Sequence, residues 1–271
     1  MFKKVSILFL GDIVGESGMN AVKDQLPKLK EKYSPDFIFV NGENADQGKG
    51  ITKKEADLLF DWGVNVITTG NHIWDNWGSK PLLVQNPSVL RPFNYPAGNI
   101  GRGYIVHKLD DGTEICVLNL QGRTFMQSID CPFKGADFVL KNLPPSVKII
   151  LVDFHADATA EKQALGWHLD GRISAIFGTH THVPTADACI LPQGTAYITD
   201  VGMTGPFDSV VGMGKETAIK RFMLQIPHKY EQASGDARTC GAHVILDADT
   251  GRALKIESFM VPEPRREEID L

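Results

Sequence analysis

The chain has 271 residues, 42% of them hydrophobic, with 33 acidic against 28 basic side chains and a net charge of −5. The negative balance excludes a broad surface for long nucleic acid, whose binding is driven by neutralising many phosphates, while a small anionic substrate stays compatible because bound cations can supply local positive charge. No apolar run approaches the roughly 20 residues that span a bilayer, and no linker, low-complexity tract or repeat interrupts the chain, so we read one domain over 1–271 with a frayed tail from 262.

Met1-Phe2-Lys3-Lys4 and the run Val5 to Leu10 faintly suggest a signal sequence, but the run is short and enters Gly11-Asp12 directly; it reads as a first strand and argues against export. Met19 to Lys32 carries Met19, Val22, Leu26 and Leu29 at helical spacing. Phe37 to Val40 is a second strand, ending at Gly42-Glu43-Asn44. Thr52-Lys53-Lys54-Glu55 is a capping box for a helix to about Trp62, and Val64 to Thr69 is a third strand, ending at Gly70-Asn71-His72. This β-α-β-α-β opening predicts parallel strands with right-handed crossovers. Further on, Val147 to Phe154 runs into His155, a helix spans Thr159 to Leu169, and Ile173 to Phe177 runs into Gly178-Thr179-His180-Thr181-His182. Cys116, Cys131, Cys189 and Cys240 form no Cys-x-x-Cys pair, which indicates neither a disulfide framework nor a thiolate zinc site and suits a reducing cytoplasm.

Continuous apolar strands belong to sheets buried on both faces, and such sheets bind ligands at the carboxyl ends of their strands. Asp12, Glu43, Asn44, Asn71, His72, His155, His180 and His182 all stand there. Taken singly, Asp12 reads as a turn or helix cap, Asn71-His72 as a turn with a satisfied histidine, and His180-x-His182 as an alternating strand end. Glu43 differs, because a carboxylate at the end of a buried strand needs a partner. Taken together, at one edge of one sheet, they read as a two-metal site. Imidazoles and carboxylates without thiolate suit iron(II), manganese or zinc. Two ions about 3.5–4 Å apart need a bridging carboxylate, and either Glu43 or Asp12 can serve. Two dications against two carboxylates leave about +2, enough to hold a phosphate and to acidify a bound water to hydroxide.

Other features have plainer readings. His168 is a helix-end residue favourable to the dipole; His107, His228 and His243 are surface or packing residues. Trp62, Trp74, Trp77 and Trp167 are core or pocket wall, and only Trp74 is placed to touch substrate. Lys49, Arg91, Arg102 and Arg123 are available cations. Gly11-x-x-x-Gly15-x-x-Gly18 lacks the spacing of a dinucleotide fingerprint, Gly212-Met213-Gly214-Lys215-Glu216 lacks the leading glycine and the Ser/Thr of a phosphate loop, and there is no Gly-x-Ser-x-Gly elbow.

Gly11-Asp12, Gly42-Glu43-Asn44, Gly70-Asn71-His72, His155 and Gly178-Thr179-His180-Thr181-His182 resemble the ordered motifs of the calcineurin-like metallophosphoesterases. With Leu10 to Gly15, Asn41 to Ala45, Gly70 to Asp75 and Thr199 to Pro206, the resemblance narrows to the YmdB-like branch of bacterial phosphodiesterases and covers nearly the whole chain. The resemblance implies a four-layer α/β/β/α sandwich, with the later strands from Gly103 onward building the second sheet. It also implies a metal-dependent phosphodiesterase acting on small cyclic nucleotides, 2′,3′-cyclic ones and also 3′,5′-cyclic ones. Val14 stands where the superfamily has a histidine, and Asn44 takes that place; Glu43 stands where it has a bridging aspartate. The roles carried over put Asp12, Glu43, Asn44 and His182 on one divalent ion and Glu43, Asn71, His155 and His180 on the other, iron or manganese being favoured and zinc or magnesium also fitting. Attack on phosphorus then falls to a metal-bound hydroxide, with His72 as proton donor to the leaving group. A phosphomonoesterase with the same dinuclear site, or a regulatory protein binding nucleotide or RNA, are the alternatives. A homo-oligomer is compatible with the sequence.

Overall fold

The structure, a computed structural model, describes residues 3–229 and 231–263; the expected frayed tail lies outside the described residues from 264 on, as do Met1 and Phe2. The opening alternation folds as read. β1 (Lys4–Leu10), β2 (Phe37–Asn41) and β3 (Val66–Thr68) are joined by α1 (Gly15–Tyr33) and α2 (Lys53–Asp61), and the strands pair in parallel, Ile7 opposite Phe37 and Phe39 opposite Val66. The capping box is formed: Glu55 Oε2 accepts from the Thr52 backbone N–H at 3.2 Å and from the Thr52 hydroxyl. This satisfies a backbone donor that the first helical turn leaves without an internal partner. α1 starts four residues earlier than its apolar spacing suggests, directly behind Val14.

A short 3-10 turn (Asn71–Trp74) and α3 (Ser79–Gln85) lead out of the first sheet. The second sheet takes β4 (Tyr104–Lys108), β5 (Glu114–Gln121), β6 (Ile149–His155), β7 (Ala175–Thr179), β8 (Cys189–Ile190) and β9 (Ala196–Ile198), in the order β4-β5-β6-β7-β9-β8. α4 (Pro132–Asn142) and α5 (Thr159–Leu169) make its crossovers. β5, β6, β7 and β9 are parallel, and the outermost strands run antiparallel to them.

The expectation that all strands beyond Gly103 build the second sheet needs correction. β10 (Gly205–Pro206), β11 (Ala237–Asp247) and β12 (Ala253–Val261), with α6 (Lys215–Leu224) between the first two, return to the first sheet. β11 lies antiparallel along the whole of β1, Lys4 opposite Asp247 and Leu10 opposite Gly241. β11 alternates inward Ala242, Val244 and Leu246 with Gly241, His243, Ile245 and Asp247 on its other face, so a glycine and polar residues interrupt the apolar run.

Three apolar layers hold the four-layer α/β/β/α sandwich together. Between the sheets, Phe9 of β1 stacks on Phe39 of β2 at 4.3 Å between centroids and meets Phe177 of β7 at 4.9 Å. Outside the first sheet, Leu8, Leu10, Ile38 and Val40 pack on Val22, Leu26 and Leu29 of α1 and Leu59 of α2. Outside the second, Leu118, Val152 and Ile176 pack on Val139 of α4 and Leu165 of α5. With helices on both outer faces, only the strand ends of the two sheets are open to a ligand. No described helix is long and apolar enough to cross a membrane.

Candidate metal centre

Asp12 follows β1, Glu43 and Asn44 follow β2, and Asn71 and His72 open the 3-10 turn behind β3, whereas His155 ends β6 and His180 and His182 follow β7. The residues therefore do not share one sheet, as their strand-end pattern suggests. Five come from the first sheet and three from the second, and the inter-sheet core brings the two carboxyl edges side by side. Asp12, Glu43, Asn44 and His155 are buried; Asn71, His72, His180 and His182 are partly so.

His155 Nε2 lies 3.0 Å from Glu43 Oε1 and 3.0 Å from His180 Nδ1. Glu43, His155 and His180 thus offer three ligand atoms all within 4.8 Å of one another. Asn44 Nδ2 is 3.1 Å from the same Glu43 Oε1 and lies 3.3 Å from His182 Nε2. His182 donates from Nδ1 to the Val211 carbonyl at 2.9 Å, which leaves the Nε2 lone pair facing this cluster. Glu43 Oε2 accepts from the His72 N–H at 3.1 Å, and Asp12 Oδ2 accepts from the His180 N–H at 3.0 Å. His180 and His182 have φ of 96° and 67°, left-handed values uncommon for non-glycine residues that persist where surrounding bonds over-determine them.

Electrostatics prepare these groups for a cation. Burial opposes a charge on Glu43, but the adjoining His155, with His72 and His180, holds its carboxyl well below the usual range. Burial likewise opposes a charge on His155, yet Glu43, backed by Asp12 and Asp153, pushes the imidazole up to about 9. His180, desolvated and beside His155, falls to about 3 and is neutral, as a ligand must be. Burial raises Asp12. The fit to a metal is visible in three buried acceptors: Asp12 Oδ1, Asn44 Oδ1 and Asn71 Oδ1 have no hydrogen-bond partner among the described residues. Orphaned acceptors of this kind are costly unless something electropositive completes them. Oxygen and imidazole donors without thiolate fit iron(II), manganese or zinc.

His72 stands beside the cluster rather than within it. Asp75 Oδ2 lies 2.8 Å from its Nδ1 and 3.5 Å from Lys49 Nζ. Its Nε2 has no partner among the described residues.

Around the site lie residues that the sequence reading passed over. Asp153, fully buried in β6, receives Asn41 Nδ2 at 2.9 Å and Thr179 Oγ1 at 2.7 Å. Lys162 of α5, 1% exposed, pairs with Asp200 at 2.7 Å, and the same Asp200 oxygen takes the Thr181 N–H and hydroxyl at 3.1 and 2.8 Å, pinning the loop between His180 and His182. A carboxylate inside the run Val147 to Phe154 was the available signal for Asp153; nothing in its helix marks Lys162 as inward.

Of the plainer readings, those of His168 at a helix end and His243 as a packing residue hold, and others need revision. Trp77 is 81% exposed, under Lys80, and Trp167 is 60% exposed, so neither is core. Arg91 is spent on the carbonyls of Pro92, Phe93 and Ile100 and is not free for substrate. His168 joins Asp137 at 2.9 Å and Arg172 in a surface ion cluster, and Lys215 pairs with Asp208. His243 packs on Tyr33 and bonds Ser6, while Trp74 meets Tyr95 edge-on.

The family described as YmdB-like protein matches residues 8–259. A 2′,3′-cyclic-nucleotide 2′-phosphodiesterase of Bacillus subtilis is 48% identical over 255 residues, 94% of this chain and 96% of the relative. Two crystal structures superpose closely: a hypothetical protein from Thermus thermophilus (40% identity, TM-score 0.90, 96% of this chain and 100% of that one) and a novel phosphatase from Mycoplasma pneumoniae (36%, 0.91, 96% and 94%).

Proposed function

The chain belongs to the YmdB-like family, and from that premise we propose that it is a metal-dependent phosphodiesterase of small cyclic nucleotides, 2′,3′-cyclic ones first among them. The observation that carries the metal reading is the set of orphaned oxygens on Asp12, Asn44 and Asn71 gathered around Glu43, His155 and His180. The substrate class is supported by the Bacillus subtilis relative.

In this reading Asp12, Asn44 and His182, with Glu43, would hold one divalent cation, and Asn71, His155 and His180, again with Glu43, would hold the other. When bound, such a pair supplies Lewis acidity toward the phosphoryl oxygens and a water acidified to near-neutral pH. The rest falls to the chain. The Asp75 carboxylate fixes the ring plane of His72 through Nδ1, so that Nε2 is the nitrogen left to protonate the departing ribose oxygen. The Glu43 contact with the His72 backbone keeps that acid in register with the ligands. Iron(II) or manganese is the favoured occupant, with zinc and magnesium compatible. We read the enzyme as a single catalytic domain of a reducing cytoplasm, in line with four unpaired cysteines.

The test is hydrolysis of bis(p-nitrophenyl) phosphate, of p-nitrophenyl phosphate and of a 2′,3′-cyclic nucleotide by protein reconstituted with manganese, iron(II) or zinc. Glu43→Gln should lose metal and turnover together. His72→Ala should keep metal and lose about 10²–10⁴ in rate. Turnover confined to p-nitrophenyl phosphate would make it a monoesterase, and bound metal with no turnover of any ester would leave a binding protein.

A further inference from the structure

Asp153 has no place among the ligands, yet it is wholly buried and touches both halves of the centre through one intermediate each. Toward the second sheet, its Oδ1 accepts the Thr179 hydroxyl at 2.7 Å, and the same Thr179 oxygen lies 2.9 Å from His155 Nδ1. A hydroxyl has a single proton. With that proton committed to Asp153, Thr179 can only accept from His155, so His155 Nδ1 must carry hydrogen and Nε2 is left as the nitrogen facing Glu43 Oε1, 3.0 Å away. Toward the first sheet, Asp153 Oδ2 accepts Asn41 Nδ2 at 2.9 Å, and Asn41 Oδ1 accepts the Glu43 backbone N–H at 3.1 Å. Thr68 of β3 donates to the same Oδ2. One carboxylate therefore reaches β2, β3, β6 and β7 immediately beneath the site.

We propose that Asp153 is a positioning residue that registers the ligands of the two sheets: through Thr179 it fixes which nitrogen His155 offers, and through Asn41 it fixes the backbone that carries Glu43. The inference rests on the metal reading above for what His155 and Glu43 hold. An asparagine at 153 cannot replace the aspartate. Its oxygen turned to Thr179 sets its amide nitrogen against the Asn41 amide nitrogen, donor against donor. Turned the other way, it donates to Thr179, whose own proton is then released from Asp153 and free to go to His155 Nδ1, so that the tautomer leaving Nε2 bare for a metal is no longer enforced.

The experiment titrates zinc, in competition with a chromophoric chelator, into wild type, Thr179→Val, Thr179→Ser, Asp153→Asn and the Asp153→Asn/Thr179→Val double variant, with near-ultraviolet circular dichroism confirming that each is folded. Thr179→Val should bind zinc about 10–100-fold more weakly, the usual cost of losing a ligand's supporting partner, and Thr179→Ser should restore binding. Asp153→Asn should also bind more weakly than wild type, because in either orientation it gives up one arm, and where that arm is Thr179, adding Thr179→Val should cost less than Thr179→Val costs alone. In zinc-loaded protein, the His155 Nδ1 proton should be exchange-protected in wild type and Thr179→Ser and lost in Thr179→Val. A folded Thr179→Val that binds zinc within about threefold of wild type, or a serine variant as weak as valine, overturns the inference while leaving the metal reading intact. A wild type that takes up none of zinc, manganese or iron(II) overturns both.

Discussion

Gly70→Ala tests how tightly the centre is built. A Cβ at this position would sit 2.1 Å from His155 Cδ2, 2.3 Å from His155 Nε2 and 2.3 Å from Glu43 Oε2, where ordinary contact begins at 3.4 Å. The overlaps of about 1.3 Å (3.4 − 2.1) and 1.1 Å (3.4 − 2.3) must be relieved by moving both side chains or the 3-10 turn that carries Asn71 and His72. Metal sites accept ligand displacements of about 0.2 Å, so the methyl should cost more than the about 10–100-fold in affinity that a lost supporting bond costs. Overpacking of a filled interior adds about 1–3 kcal/mol of destabilisation. Zinc affinity by chelator competition, manganese-dependent hydrolysis and thermal melting would be measured together. Gly135→Ala in α4 is the control: its Cβ meets Phe93, Asn94 and Leu120 no closer than 3.4 Å, and it should gain roughly 0.5–1 kcal/mol from helix propensity. A Gly70→Ala protein that binds zinc as tightly as wild type would refute the claim that His155 and Glu43 close on this glycine.

Other outcomes follow from the same geometry. Lys162→Met leaves Asp200 buried without its counter-charge and should lower unfolding stability by about 3–5 kcal/mol in urea denaturation; a midpoint equal to that of wild type would mean that the remaining Thr181 and Gly202 donors suffice. His155 in the metal-free protein is raised from 6.5 to about 9, so its contribution to stability is full below about 6.5 and is lost as pH rises through about 9. Metal entry must expel that proton, so apparent affinity should climb with pH up to about 9, and calorimetry in buffers of differing ionisation enthalpy should register proton release near pH 7.5; no release at that pH would contradict the assignment. Burial pushes the Cys116 and Cys240 thiols up to about 12, so Ellman's reagent at pH 8 should reach Cys131 and Cys189 alone until the protein is unfolded. Reaction of all four thiols in native protein would show that the core opens.

The sequence was most legible where burial is two-sided. The runs ending at Leu10, Val40, Thr69, Phe154 and Phe177 became parallel strands because a sheet covered on both faces accommodates them, and the residues of the cluster stand at or just beyond their ends. The antiparallel return of β11 was illegible, because its inward Ala242, Val244 and Leu246 alternate with Gly241, His243, Ile245 and Asp247, whose glycine and polar members break the apolar run, and its partner β1 lies more than two hundred residues away in the chain. That residues from both sheets meet could not be read from strand ends alone, since a strand end does not say which sheet it belongs to. The supporting network was invisible for a different reason: Lys162 and Asp200 look like ordinary surface charges, and only their mutual burial gives them meaning.

A centre stitched across two sheets is also a checkpoint in the life of the polypeptide. While the ribosome is still adding residues before His180, the emerged segment can offer Asp12, Glu43, Asn44 and Asn71 but no second imidazole beside His155. Cations met during synthesis therefore find only a fraction of the donors, spread over surfaces that have yet to dock. On the proposed reading, full occupancy would wait until Ala237–Asp247 has closed onto Lys4–Leu10, the strand whose end carries Asp12. On that reading, tight uptake of metal would follow only once both sheets have docked, and a half-made or misdocked product would bind it weakly.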